Sequence, residues 1–235
     1  MLAVESKSSA PRNATICSLP LESGEFMHSR EFLRRYERKP WMKRTELIEG
    51  VVYLGPRATA SHGRADGLIQ ARLHTYASRH PSTEALPNAP VILDAENTVQ
   101  ADALLLRCLR ENGDLGRVNE DGYLAGPPEL IVKVAASSAS IDLRDIRWAG
   151  RSSGVRQYLV WVEAEALPVS FCLEDDEYRP QLLDAQDMLY SLAFPGIRQT
   201  AEPLVACDIA KVPNALRECE APHRKPPETG VRSDG

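Results

Sequence analysis

The order of helix-like and strand-like segments predicts an α/β or α+β fold, with a central mixed β-sheet flanked by helices. Two observations carry this prediction. Apolar residues recur at three- and four-residue steps in two segments, 29–39 and 61–79, which is typical of amphipathic helices. Short apolar runs bounded by turn residues recur between 45 and 182, which is typical of strands. The chain has 235 residues and 43% hydrophobic content, enough to bury one sizeable core.

The first half of the chain predicts a helix, a hairpin and a second helix. Ser29 precedes REFLRRYERK and is expected to be the N-cap of a short helix. Gly50 divides the apolar runs of TELIEGVVYLGP, which predicts strand, tight turn and strand. The second helix is expected from Ser61 to about Arg79 and ends before Pro81.

The second half predicts further strands and two helices. APVILDAENTVQADALLL is expected to form two strands across a turn at 94–97, and ELIVKV and VRQYLVWVEA one strand each. PVSFCLEDDEYRPQLL predicts a hairpin that turns at 174–177. A helix is expected from about Ser140 to Gly154, and another within 203–219, broken at Pro213.

The ends of the chain differ in composition from its middle. Residues 1–24 are rich in Ser, Pro and Glu, and residues 221–235 have almost no apolar side chains, so both are expected to be disordered tails around one domain at 25–220. Five scattered cysteines without a CxxC pair support neither a disulfide framework nor a zinc site. No secretory signal or membrane span is apparent, which favours a cytoplasmic location.

The charge of the chain is unevenly distributed. The net charge is -5, yet residues 27–80 carry 11 Lys and Arg against 5 Asp and Glu, whereas residues 163–187 carry 8 acidic residues and one Arg. The basic segment is compatible with a surface that attracts phosphate, but charge alone favours an ordinary solvated face.

Charged residues within apolar strands are the main candidates for chemistry, because no serine-hydrolase or phosphate-loop motif is present. Asp102 lies inside QADALLL, Glu129 opens the ELIVKV strand, and Glu46 lies on the first predicted hairpin. Lys133 interrupts the ELIVKV strand, where an ammonium must either reach solvent or occupy a place built for charge. A buried carboxylate usually pairs with a cation or binds a metal.

Several blocks in order, ELIEGVVY, SHGR, VQADALL, PPELIVKVAASSASIDL and SGVRQYLVW, resemble the Uma family of putative restriction endonucleases, which has the PD-(D/E)XK nuclease fold. The likeness spans about 29–211. It implies a restriction-endonuclease-like fold, DNA as the partner, Mg²⁺ as the cofactor and phosphodiester hydrolysis as the reaction. It also makes a homodimer possible, since cutting both strands favours two active sites.

The resemblance implies roles for individual residues. Glu46 and Asp102 match two acids that hold the divalent metal in this family, and His62 matches the family histidine. Lys133 stands where the family has its third, metal-binding Glu, and Ile146 stands where it has the Lys that orients water. The candidate catalytic residues are therefore Asp102, Lys133, Glu46 and His62, and the candidate metal ligands are Asp102, Glu46 and Glu129.

Three smaller departures accompany these two. Ala101 replaces a proline, Gly150 a tyrosine and Gln157 a glutamate of the family pattern. Glu129 is considered as a substitute ligand because four residues along a strand preserve the face, although about 13 Å separates it from residue 133 at about 3.3 Å per residue. Asp142 and Asp145 are further possible acids.

Two functions remain open from the sequence. In the first, the chain is a metal-dependent endonuclease in which Lys133 orients water while Asp102 and Glu46 hold the metal. In the second, the changes at residues 133 and 146 impair catalysis, and the chain binds nucleic acid or a protein partner without cutting. Replacing a carboxylate with an ammonium changes the local charge by two units, and each unit at 4 Å is worth about 4 kcal/mol at an effective dielectric constant near 20.

Overall fold

A computed structural model of the protein describes residues 20–39, 44–55, 58–108, 117–135, 153–163, 165, 167–185 and 188–200. The helices and strands in these ranges are given in chain order: α1 Ser29–Tyr36, β1 Thr45–Ile48, β2 Val51–Leu54, α2 Ala60–Arg79, β3 Thr83–Pro87, β4 Pro90–Ile92, β5 Thr98–Gln100, β6 Ala103–Arg107, β7 Arg117–Val118, β8 Leu124–Ala125, β9 Leu130–Ala135, β10 Gln157–Val162, β11 Leu167–Glu174, β12 Glu177–Gln181, β13 Met188–Tyr190 and β14 Arg198–Thr200.

The described strands form two six-stranded sheets and a small pair. The first sheet has the order β2-β1-β5-β4-β8-β7, the second has the order β12-β11-β10-β9-β6-β3, and β13 pairs with β14. Most neighbours are antiparallel, but β9 runs parallel to β10 and β4 runs parallel to β8. The mixed α+β class is therefore confirmed, with the strands divided between two large sheets instead of one central sheet.

Three apolar clusters show how the layers pack. One cluster joins residues of both sheets, including Ile48 and Val99 of the first and Ile131 and Val160 of the second, so the two sheets face each other. A second cluster joins the other face of the second sheet to α2. A third joins α1 to the other face of the first sheet. The order of layers is α1, first sheet, second sheet, α2.

Local sequence signals agree with most of these elements. The β1–β2 turn consists of Glu49 and Gly50, both at positive φ (50° and 75°), as a two-residue hairpin with the favoured twist requires. The turn between β11 and β12 is likewise made by Asp175 and Asp176 at positive φ. Thr59 caps α2 by accepting a hydrogen bond from the amide of His62, with 3.2 Å between the atoms.

Other expectations need correction. His28, not Ser29, is the N-cap of α1 and makes no side-chain cap bond, while the Ser29 hydroxyl donates to the carbonyl of Asp94 at 2.8 Å. Residues 20–24 belong to the segment that is expected to be disordered, but Leu21 is only 2% exposed and packs in the α1 cluster. The helices expected near 140–154 and 203–219 lie largely or wholly outside the described residues.

Neither helix in the described ranges is long and apolar enough to cross a membrane.

Candidate functional site

The junction between the two sheets positions Asp102. Strands β3 and β6 belong to the second sheet, whereas β4 and β5, which continue them, belong to the first. The chain passes between sheets at residues 88–89 and again at 101–102, where the Asn88 amide donates to the Asp102 carbonyl at 2.8 Å and the Ala101 amide donates to the Ala89 carbonyl at 3.2 Å. The continuous strand expected through QADALLL is therefore interrupted at Asp102, and the interruption places this acid at the edge of the space between the sheets.

Lys133 lies on the face of β9 that points toward the first sheet. Residues 131 and 135 share its side of the strand, and both belong to the cluster between the sheets. Its ammonium donates to Glu46 Oε1 at 2.7 Å and to the carbonyl oxygen of Gln100 at 2.8 Å. The side chains of Lys133 and Glu46 are only 12% and 10% exposed. The lysine therefore occupies a place built for charge, and the ion pair connects the two sheets.

Asp102 is enclosed by hydrogen-bond donors. Its Oδ1 lies 2.6 Å from Nη2 of Arg44 and 3.3 Å from Nε2 of His62, and its Oδ2 accepts the amide of Val134 at 2.7 Å. Nη2 of Arg44 also contacts Nε2 of His62. Both carboxylate oxygens thus have strong donors within the protein.

These contacts determine the charge of Asp102. Burial by itself raises the pKa of this carboxyl group. The hydrogen bond with His62, the charge of Lys133, the amide of Val134 and the charge of Arg44 together outweigh burial and hold the pKa below its usual value. Asp102 is therefore an anion at neutral pH.

Arg44 was not among the residues selected from the sequence. Its backbone has a φ of 59°, which is costly for a residue with a side chain. The Gly55 amide donates to the Arg44 carbonyl at 2.7 Å, and the Arg44 amide donates to Oε1 of Gln100 at 3.1 Å. A basic residue directly before the TELIEG segment is the available signal, but its proximity to Asp102 depends on contacts across 58 residues of sequence.

Gln100 connects the two halves of the site. Its amide donates to Glu46 Oε1 at 2.7 Å, and its carbonyl accepts the ammonium of Lys133. Its side-chain oxygen accepts the Arg44 amide and lies 3.3 Å from the hydroxyl of Tyr36 on α1. One residue therefore fixes Glu46, Lys133 and Arg44 relative to one another.

The structure brings together four of the five predicted site residues and leaves out Glu129. Glu46, His62, Asp102 and Lys133 form one cluster through the contacts above. Glu129 lies directly before the first residue of β9 and is 1% exposed. Its Oε2 accepts the amide of Arg107 at 3.0 Å. Its other oxygen has no hydrogen-bond partner. Ile146 and the acids at 142 and 145 lie outside the described residues.

The described residues of the site do not fit the divalent metal that the resemblance implies. The described ranges contain no group of three His, Cys, Asp or Glu residues placed to hold a metal ion. Among the described residues, two carboxylates lie at the site, and each is already neutralised by a basic side chain, Glu46 by Lys133 and Asp102 by Arg44. A cation entering between them would meet two fixed positive charges, which repel it.

Comparisons with known proteins identify a similar fold and a family. The fold is similar to that in the crystal structure of a putative nuclease belonging to DUF820 from Anabaena variabilis ATCC 29413, with a TM-score of 0.56 and 11% sequence identity over 69% of this chain and 90% of that chain. The family model of the Uma2 putative restriction endonucleases matches residues 30–203. The chain therefore belongs to the Uma2 family, as its motifs indicated. No curated protein matches the chain.

Gly55 should be intolerant of a side chain because of its contact with Arg44. A Cβ at Gly55 would lie 2.6 Å from the Arg44 carbonyl oxygen, so Gly55→Ala must displace the backbone of Arg44 and should lower the free energy of unfolding by about 1–3 kcal/mol. The matched control is Gly67→Ala on α2, where a Cβ meets nothing within 4 Å and alanine should stabilise the helix by about 0.5–1 kcal/mol. Urea unfolding measures both, and equal effects would contradict this account.

The contribution of Asp102 to stability should depend on pH. Its pKa in the folded protein is lowered, so its stabilising contribution is present above the unfolded pKa of about 3.9 and is lost as the pH falls through the folded pKa. At pH 7 Asp102→Asn should lower the free energy of unfolding by about 1–3 kcal/mol. The difference from wild type should shrink on acidification toward pH 3. A difference that stays constant in urea titrations at both pH values would refute the assignment.

Proposed function

We propose that this protein is a cytoplasmic DNA-binding member of the nuclease family whose metal-dependent cleavage of phosphodiester bonds is impaired. The observation that carries the proposal is the 2.7 Å contact between the Lys133 ammonium and Glu46. A family site collects negative charge from several acids in order to attract a divalent ion. Here the ammonium of Lys133 neutralises the negative charge of Glu46.

Electrostatic magnitudes support this choice over an active enzyme. Changing the family glutamate to Lys133 alters the charge by two units, at about 4 kcal/mol per unit for a 4 Å separation and an effective dielectric constant near 20. Even a fraction of that total weakens metal affinity by orders of magnitude, since about 1.4 kcal/mol is tenfold. In the competing proposal Lys133 orients the attacking water, but two of the three donors of its ammonium already bind Glu46 and the Gln100 carbonyl, which fixes the group inside the protein.

DNA remains the favoured partner. Family membership supports a nucleic acid, and residues 27–80, which carry Arg44 and His62, have 11 basic against 5 acidic residues. Contacts between basic side chains and phosphate supply most of the affinity in binding that does not depend on sequence. A fold that kept its substrate surface while losing its metal would bind DNA without cutting it.

Plasmid cleavage tests the impairment directly. The wild-type protein with Mg²⁺ or Mn²⁺ should leave supercoiled plasmid intact, and the double change Lys133→Glu, Ile146→Lys should restore nicking by returning the family residues to both positions. Agarose gels measure the products over time, with Asp102→Ala added to the repaired protein as the inactive control. If wild type cuts and Asp102→Ala alone does not, the protein is a functional endonuclease and the proposal is wrong.

Metal binding should follow the same substitution. Calorimetric titration of the wild-type protein with Mn²⁺ should show no saturable binding, because each acid already has a cationic partner. Lys133→Glu should gain a site with an affinity at least about tenfold higher, whereas Lys133→Met, which removes the cation without adding an acid, should fall between the two. Tight Mn²⁺ binding by wild type would count against the proposal.

A further inference from the structure

Arg44 differs from the other charged residues of the site in its exposure. Its side chain is 23% exposed, compared with 12% for Lys133, 10% for Glu46, 7% for Asp102 and 4% for His62. A group that approaches from solvent therefore meets the guanidinium first. Lys133 lies deeper, bound to Glu46 and to the Gln100 carbonyl.

The backbone of Arg44 is held in place at some cost. Its positive φ of 59° is maintained by the hydrogen bonds from Gly55 and to Gln100 and by the close approach of Gly55, which leaves no room for a Cβ. Strained conformations persist when their surroundings fix them, and they cluster at ligand-binding positions. These contacts fix the backbone from which the Arg44 guanidinium reaches Asp102.

A single nitrogen of the Arg44 guanidinium, Nη2, makes its contacts with Asp102 and His62. Nη2 contacts both Asp102 Oδ1 and Nε2 of His62. A guanidinium matches two kinds of anion by geometry, carboxylate and phosphate, and can bind either one with the same edge. Asp102 is thus a carboxylate placed where a phosphate oxygen would form the same bond.

The charges of the site also balance without a ligand. Arg44 and Lys133 contribute two positive charges, and Asp102 and Glu46 contribute two negative charges. A phosphate that binds Nη2 of Arg44 must displace Asp102, and a phosphate that binds another nitrogen of the guanidinium is still repelled by the negative charge of Asp102. Asp102 therefore opposes an anionic ligand, whereas the family resemblance implies a metal-binding acid that promotes binding of substrate phosphate through the ion.

We propose that Arg44 contacts a phosphate of the DNA backbone, and that Asp102 occupies the same guanidinium when no DNA is bound. This inference rests on the proposed function and assigns the group of DNA that the site recognises. It yields a prediction of definite sign: removing the charge of Asp102 strengthens DNA binding in the absence of metal.

The test is fluorescence anisotropy with a short labelled DNA duplex in EDTA over a series of salt concentrations. Arg44→Gln should weaken binding about tenfold, as expected for the loss of a charge-assisted hydrogen bond, and should reduce the slope of log K against log salt by about one. Asp102→Asn should raise the affinity. Thermal melts and circular dichroism confirm that each variant is folded.

Matched controls separate the local contact from the overall charge. Glu49→Gln removes one negative charge from an exposed position in the β1–β2 turn and should raise affinity less than Asp102→Asn does. Arg34→Gln removes one positive charge from α1, where the arginine pairs with Glu31 and is 46% exposed, and should weaken binding less than Arg44→Gln does. Equal effects within either pair would overturn the proposal.

The double change Arg44→Gln, Asp102→Asn controls for a loss of stability in the single variants, each of which leaves one charged side chain without its ion-pair partner. It removes both charges together, so neither partner is left as an unpaired ion. It should bind DNA as weakly as Arg44→Gln does. Wild-type affinity in this double variant would overturn the Arg44 assignment while leaving DNA binding intact, whereas a wild-type protein that binds no DNA at any salt concentration would overturn the proposed function and the inference together.

Discussion

The ion pair between Lys133 and Glu46 is the constraint on which the site depends. It joins β9 of the second sheet to β1 of the first at the edge of the apolar layer between them. Burying an ion pair is costly unless the remaining hydrogen-bonding groups are also satisfied. Gln100 meets that requirement, because its amide donates to Glu46 and its carbonyl accepts from Lys133. The two sheets can therefore approach closely around charged groups.

The bend of the chain between the sheets accounts for the rest of the arrangement. Because the chain leaves the first sheet after Gln100 and enters the second at Ala103, Asp102 lies between Arg44 beside β1 and the amide of Val134 on β9. The carbonyl of Asp102 also accepts from the side chain of Gln70 on α2. Each layer except α1 thus contacts Asp102 or its immediate partners directly, and α1 reaches the site through Tyr36 and Gln100.

Local patterns were sufficient for most elements but not for the way in which the sheets divide. Alternating apolar residues and turn residues located the β1–β2 and β11–β12 hairpins, and three- and four-residue periodicity located α2. The break at Asp102 is not foreseeable from the sequence, because QADALLL continues as an apolar run. The break becomes visible only in the strand pairing, where β5 pairs with β4 in the first sheet and β6 pairs with β3 in the second. The absence of a Pro or Gly at position 101, where Ala101 is fully buried, removed the usual local signal of a break.

The site shows the same limit. Glu46, Asp102, His62 and Lys133 are selected by motif resemblance and by the physical oddity of an ammonium in an apolar strand, and the structure places them in one cluster. The sequence does not single out Arg44, because its position just before the TELIEG segment does not reveal its contact with Asp102. Glu129 was selected because its strand face matches that of Lys133, but same-face residues four apart are separated along the strand, and the Arg107 amide is its partner there.

The proposed function also accounts for the second departure from the family pattern. The family lysine at position 146 serves to orient and polarise water for attack, a role that has value only where a metal and an acid cluster activate the phosphate. Once an ammonium on β9 neutralises Glu46, a further lysine would add positive charge with no catalytic partner to justify it. An apolar residue at 146 is then compatible with the same loss of metal chemistry that Lys133 imposes. Under the proposed function the two substitutions have a common electrostatic cause: the cation at position 133 prevents metal binding, and without the metal a cation at position 146 has no catalytic role.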